Sequence, residues 1–192
     1  NGMGDQPLYT VDARLLVDGE TCDTRQLQIG LRTVEIDRSP IPSGGSRFCI
    51  RVNGRDVFCK GGNWIPADAI LARVGKKKYE HLVAAAKEAH LNMLRIWGGG
   101  IYEDDIFYDL CDELGICVWQ DFMFGCATYP AFDAEYMANV KAEAEDNVRR
   151  IRHHASLALW CGNNELEQGL VGDEWTETTM SWEDYGKLYD EL

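Results

Sequence analysis

The sequence predicts an α/β fold: the first half of a (β/α)8 (TIM) barrel, four βα units long, preceded by part of a β-sandwich. Three observations predict it. From Ser46 onward, short apolar runs alternate four times with amphipathic helical patterns across short connections, the signature of a parallel sheet with right-handed crossovers. The last apolar run, residues 157–161, stops at Gly162 and delivers Asn163, Asn164 and Glu165, and functional groups gather just past the carboxyl ends of such strands. Before Ser46 the pattern has period two and carries turn signals, as in antiparallel β structure.

Taken in order, Tyr9, Val11, Ala13, Leu15 and Val17 form a half-buried strand by alternation, and Asp18-Gly19 is a hairpin signal. A second strand follows over 21–29 and a third through Val34 and Ile36. Residues 39–45, rich in Pro, Ser and Gly, read as a linker. The division is therefore residues 1–45 as the C-terminal part of an immunoglobulin-like sandwich plus linker, and 46–192 as the barrel half. Three strands fall short of the seven or more that such a sandwich holds, and a full barrel needs ~250 residues.

Within the barrel segment, runs at 48–52 and 57–60 flank Asn53-Gly54, and the second is expected to be the first barrel strand, ending at Gly61-Gly62-Asn63-Trp64. Tyr79, Leu82, Val83 and Ala86 then share one helix face. The second strand, 93–97, ends at Gly98-Gly99-Gly100. A helix through Ile106, Phe107, Leu110, Cys111 and Leu114 stops at Gly115. The third strand, 116–119, leads into Gln120-Asp121-Phe122, and a long helix spans about 133–153. After the fourth strand comes an acidic loop with Glu167, Asp173, Glu174 and Glu177, read as solvated, and then a capping box at Ser181 and Asp184. The strand at 157–161 is expected to be buried on both faces.

Composition excludes several functions. The chain has 192 residues, 45% of them hydrophobic, enough for a core, and its net charge of −13 argues against nucleic-acid binding. The basic run Lys76-Lys77-Lys78 is the solvated start of a helix. No apolar run approaches the ~20 residues of a membrane helix, and no secretory signal is visible, which leaves the compartment open. Seven cysteines include no Cys-x-x-Cys pair, and Cys111, Cys117, Cys126 and Cys161 lie in or beside apolar runs as small hydrophobes. The four histidines have no ligand-like spacing, so neither a metal nor a cofactor is expected.

Asn164 and Glu165 alone are a weak signal. In the bland reading, Asn163 and Asn164 turn the chain and Glu165 caps the next helix. Four strand-end motifs together are specific: Gly62-Asn63-Trp64-Ile65-Pro66-Ala67-Asp68, Arg95-Ile96-Trp97-Gly98-Gly99-Gly100-Ile101-Tyr102-Glu103, Val118-Trp119-Gln120-Asp121-Phe122-Met123 and Trp160-Cys161-Gly162-Asn163-Asn164-Glu165. With them the chain resembles glycoside hydrolase family 2 over nearly its whole length. Trp97-Gly98-Gly99 after Arg95 makes it most similar to the β-mannosidase branch. That resemblance implies retaining hydrolysis of terminal β-D-mannosides by two carboxylates ~5–5.5 Å apart. It also implies that Glu165 is the general acid/base, Asn164 holds the sugar 2-hydroxyl and Arg95 orients the nucleophile.

The resemblance places that nucleophile, a Glu, on a seventh strand, beyond the end of this chain, so the segment alone is expected to be inactive. Trp97 is expected to line the sugar pocket. Asn63 and Trp64 are divided evenly between pocket and packing, and Asp121 is expected in or just behind the pocket. Trp119 and Trp160 are expected in the core. The partner implied is a β-mannoside or another β-linked oligosaccharide. Other family members (an exo-β-glucosaminidase or a β-galactosidase) and a non-catalytic carbohydrate-binding remnant are the alternatives. Finally, an open half-barrel exposing Leu94, Ile96, Val118 and Leu159 predicts that the isolated chain is a homodimer or higher associate.

Overall fold

The computed structural model describes residues 4–171 and 180–191. Asp173, Glu174 and Glu177 of the acidic loop lie outside the described residues. Among the described residues, nine strands form three sheets. β1 (Tyr9–Val17) and β2 (Glu20–Ile29) make an antiparallel hairpin; β3 (Val34–Asp37), β4 (Cys49–Val52) and β5 (Arg55–Val57) make an antiparallel sheet in that order. β6 (Gly61–Trp64), β7 (Met93–Ile96), β8 (Cys117–Asp121) and β9 (Leu157–Cys161) make a parallel sheet in chain order. Its crossovers carry α1 (Lys76–Glu88), α2 (Asp105–Leu114) and α3 (Ala134–Ile151). Beyond β9 come α4 (Leu166–Val171), α5 (Trp182–Gly186) and a π-helical turn at Lys187–Glu191.

Both two-residue hairpin turns form as their sequences dictate. Asp18 and Gly19, and again Asn53 and Gly54, have positive φ, which suits the strand twist. Helix ends follow sequence as well. Asp133 accepts from the backbone N–H groups of Glu135 and Tyr136 at the start of α3. Gly115 closes α2 in the left-handed region, and Ser181 and Asp184 form the expected capping box.

The fold departs from expectation in four places. First, the initial parallel strand is β6, not residues 57–60. β5 is used up by antiparallel pairing with β4, and the link after it is held by Asn92, whose side chain donates to Phe58 O (2.9 Å) and accepts from Lys60 N–H (2.7 Å). Gly61-Gly62 looks like a turn in sequence but is strand. A Cβ on Gly61 would come within 1.9 Å of Met93 O, so the close approach of β6 to β7 needs glycine. Second, residues 39–45 form the turn between β3 and β4 (Ile41 N–H to Gly45 O, 3.1 Å), and those strands pair across it.

Third, every residue of β1 is exposed, so its alternating apolar residues do not make it half-buried. Among the described residues nothing covers either face of that hairpin. Fourth, the phase of the parallel strands is the reverse of that expected. Leu94, Ile96 and Val118 pack outward with Tyr79, Val83, Phe107, Tyr108 and Ile151 under the helices. Of the four residues expected on an open face, only Leu159 shares the inner row, so the premise of an apolar dimerising face is lost. β9 is also only partly covered: Leu157 is buried and the other four residues are intermediate.

The base of the sheet is tied down at β9. Arg32 donates to the carbonyls of Ala155 (3.1 Å) and Leu157 (2.6 Å). Asp112 accepts from Ser156 N–H and bonds His154 Nδ1, both at 2.7 Å, fixing α2 to the start of β9. Asp109, Asp112 and His154 bring three ligand-type atoms within 4.8 Å of one another, a grouping that linear spacing concealed. A cavity of about 460 Å³ lies at this lower end, lined by Arg32, Asn92, Asp112 and Ser156 among others. No described helix is long and apolar enough to cross a membrane.

Candidate active site

In a parallel sheet, residues in register share a face. The register runs Asn63, Arg95, Trp119, Leu159 across the four strands, and Asp121 opposite Cys161 one rung higher. This inner face, opposite the apolar core, therefore carries a cation, a carboxylate and an indole at the carboxyl ends of the strands. A bulge in the β8–β9 pairing, between Val118 and Trp119, brings Leu159 level with Trp119. β9 then hands on to Gly162 and the two asparagines above the sheet.

Asp121 is the fixed point. It is 0% exposed and accepts four hydrogen bonds: from Arg95 Nε (3.2 Å) and Nη2 (2.7 Å), Gly98 N–H (3.0 Å) and Trp119 Nε1 (2.9 Å). The Arg95 contact is bidentate, the strong geometry for a guanidinium and a carboxylate. Asp121 thus acts as a buried anchor for the Arg95 guanidinium, with no exposed surface of its own. Arg95 reaches on to Asn63 Oδ1 (3.2 Å) and Asn164 Oδ1 (2.8 Å) and lies over the Trp119 ring at 5.5 Å. One guanidinium on β7 thereby links groups of β6 and β8 with the segment that follows β9.

Asn164 is buried, and its Nδ2 donates to Cys126 Sγ at 3.1 Å. A primary amide offers two N–H groups and two lone pairs, so these two contacts use one of each. Glu165 is exposed, has φ 61, and accepts from the Cys126 thiol at 3.4 Å. The bland reading of this segment falls on its neighbour instead. Asn163 Oδ1 accepts from Leu166 N–H (3.2 Å) at the start of α4, a contact in which neither the Asn164 nor the Glu165 side chain takes part.

Trp97, just past the end of β7, is half-buried. Its ring lies so close over Gly99 that a Cβ there would come within 2.1 Å of it. Gly98 is pressed against the carbonyls of Phe122 and Phe124. The triple glycine is therefore a close-packing device for the strand-end loops. Trp64 turns away from this group: its ring packs with Phe107 (centroids 4.7 Å apart) and its Nε1 donates to buried Glu103 (2.9 Å) in the helix layer. Of the expected site residues, then, Asn63, Arg95, Asp121 and Asn164 come together, with Glu165 joined through Cys126. Trp64 is packing.

The cluster has two further members. Trp119, which its strand position suggests is core, lies two residues before Asp121, and that spacing puts both on one face. Cys126, a small hydrophobe by its sequence surroundings, is exposed beside Glu165. No signal in the linear sequence pairs it with Asn164. Trp160 is partly buried against the helix-side core, as expected.

No family model matches the chain. Pairwise comparison is informative. The chain is 44% identical over 185 residues to β-mannosidase B of Thermothelomyces thermophilus, covering 93% of this chain and 22% of that protein. It is 42% identical over 195 residues to the β-mannosidase of Capra hircus, with 98% and 22% covered. The crystal structure of β-D-mannosidase from Dictyoglomus thermophilum superposes with TM-score 0.88 at 46% identity, over 98% of this chain and 23% of that one. A Parabacteroides merdae β-glucuronidase (TM-score 0.74, 20% identity, 97% and 22% covered) shares the fold. The chain spans about 22% of the length of the curated relatives it matches. By sequence it is a β-mannosidase homologue, and its structural neighbours are glycosidases of glycoside hydrolase family 2.

Proposed function

We propose that this chain is part of a retaining exo-β-mannosidase acting on terminal β-D-mannosides, with Glu165 as general acid/base. The observation that supports it best is the Arg95 junction. A guanidinium fixed by buried Asp121 holds Asn63 and Asn164 at the carboxyl ends of parallel strands, immediately before an exposed glutamate. In the reaction, Glu165 gives its proton to the glycosidic oxygen as the bond to the anomeric carbon breaks. It then takes a proton from the water that releases the sugar. The free N–H and lone pair of Asn164 suit the 2-hydroxyl, a contact that strengthens as the ring gains oxocarbenium character. The Trp97 face suits the apolar side of a pyranose.

The second carboxylate, the nucleophile, is supplied by a residue outside this chain, so the segment by itself does not turn over substrate. Residues 1–45 are read as the end of an immunoglobulin-like domain and 46–192 as half of the catalytic barrel, with β3 reaching across to pair with β4.

The test is Glu165→Gln in the full-length protein. For β-mannosides with poor leaving groups, kcat/KM should fall by ~10²–10⁴, the usual worth of a positioned general acid. Activated aryl mannosides, which leave without protonation, should lose much less in the glycosylation step. Equal losses on both would remove Glu165 from the acid role. A panel of aryl β-mannoside, β-glucosaminide and β-galactoside tests the substrate.

A further inference from the structure

The segment after β8 continues the sheet beyond its strands. Gly125 forms a parallel bridge with Asn164, flanked by Asn164 N–H to Phe124 O (2.9 Å) and Cys126 N–H to Asn164 O (3.2 Å). This extra rung places Cys126 against both residues on which the proposed chemistry rests. Cys126 and Glu165 each adopt positive φ (43° and 61°), a region that residues with a Cβ avoid unless their surroundings impose it. The two side chains then meet: Asn164 Nδ2 donates to Cys126 Sγ (3.1 Å), and the thiol donates to Glu165 Oε2 (3.4 Å).

We propose that Cys126 is a positioning residue for the acid/base, its thiol tying Glu165 Oε2 to the Asn164 amide so that Oε1 is the oxygen presented to the leaving group. The proposal rests on the reading of Glu165 given above. It makes Asp121, Arg95, Asn164, Cys126 and Glu165 one continuous hydrogen-bonded line from the buried anchor to the exposed carboxyl. A thiol suits the junction because it accepts weakly from the amide and donates weakly to the carboxylate. Partial desolvation, reinforced by the Glu165 carboxyl, pushes the Cys126 thiol up, which keeps its proton in place for donation.

Two measurements in the full-length protein test it. The first needs no turnover: the alkylation rate of Cys126 by iodoacetamide at pH 8, followed by peptide mapping, in wild type and Glu165→Gln. Removing the neighbouring anion should raise the thiolate fraction and speed alkylation several-fold. An unchanged rate overturns the contact. The second compares Cys126→Ala with Cys126→Ser. Alanine should lower kcat for poor leaving groups roughly tenfold, a part of the ~10²–10⁴ a positioned acid supplies, while hardly affecting activated aryl mannosides.

Serine, which keeps a donor, should recover most of that loss. Alanine and serine behaving alike, or losing equally on both substrates, would mean the side chain only fills space and would overturn the positioning role. If the wild-type protein does not cleave β-mannosides, the proposed reaction falls, while the alkylation comparison still decides the contact.

Discussion

The two faces of the parallel sheet are built on opposite rules. On the outer face Leu94, Ile96 and Val118 meet Phe107, Tyr108 and Ile151, all at most 5% exposed, and the contacts are non-directional. On the inner face Asn63, Arg95, Trp119 and Asp121 are joined by hydrogen bonds with fixed donors and acceptors. The outer face stabilises the sheet by removing apolar surface from water. The inner face fixes where a few polar atoms stand. The alternation of a strand allows both in one element, so the same four strands serve as wall and as site. Damage to the outer face should therefore act on stability, whereas damage to the inner face should act on stability only where it strands a buried charge.

The largest stability effect is expected from Phe107→Ala in α2. Phe107 is fully buried between Trp64, Tyr79 and Tyr108, with ring centroids 4.7, 6.3 and 5.3 Å away. Emptying that space should cost about 3–5 kcal/mol in urea denaturation. What remains folded should keep its substrate KM, since no inner-face group moves. A large KM change with little loss of stability would break the division between the faces.

Asp121→Asn comes next. Each carboxylate oxygen of Asp121 accepts two N–H donors, so whichever way an amide is turned, its NH2 opposes two donors. With the Arg95 charge also left uncompensated, a loss of about 3 kcal/mol is expected. Unlike the Phe107 change, it should also lower kcat/KM for every substrate, because Arg95 no longer holds Asn164. A stability loss with unaltered kinetics would detach the inner face from function.

Much of this was legible in the sequence. Turn residues and helix stops marked element ends because Gly115, Asn53-Gly54 and Ser181 act through local backbone chemistry. Asn164 and Glu165 stand out because they follow an apolar run stopped at Gly162, whereas the roles of Arg95, Asn164 and Glu165 come only from the resemblance to glycoside hydrolase family 2. The phase of the strands was not legible. Met93-Leu94-Arg95-Ile96 is apolar on both faces apart from one arginine, and alternation alone does not say which set meets the helices. The start of β6 was hidden because Gly61-Gly62, needed for close approach to Met93, has the composition of a turn. Cys126 was hidden for a different reason: its neighbours Asn164 and Glu165 come from the end of another strand, 38 and 39 positions away.

The smallest effect is expected from Trp119→Phe, and it separates positioning from packing most finely. The substitution removes the Nε1 donor to Asp121 and leaves an aromatic face under Arg95. Asp121 keeps three of its four donors, two from Arg95 and one from Gly98. The stability loss should then be about 1 kcal/mol, the net worth of one ordinary hydrogen bond, and much less than that of Asp121→Asn. Because Arg95 is still gripped at both Nε and Nη2, it stays in place and kcat/KM should change by less than about fivefold, the factor that the whole ~1 kcal/mol would give if it fell on the barrier. Trp119→Ala, which also takes away the ring, should let the guanidinium tilt and lower kcat/KM further. If Phe and Ala are equally damaging, the indole N–H is what orients Asp121. If neither changes the kinetics, the bidentate pair alone sets Arg95, and Trp119 belongs with the wall and not with the site.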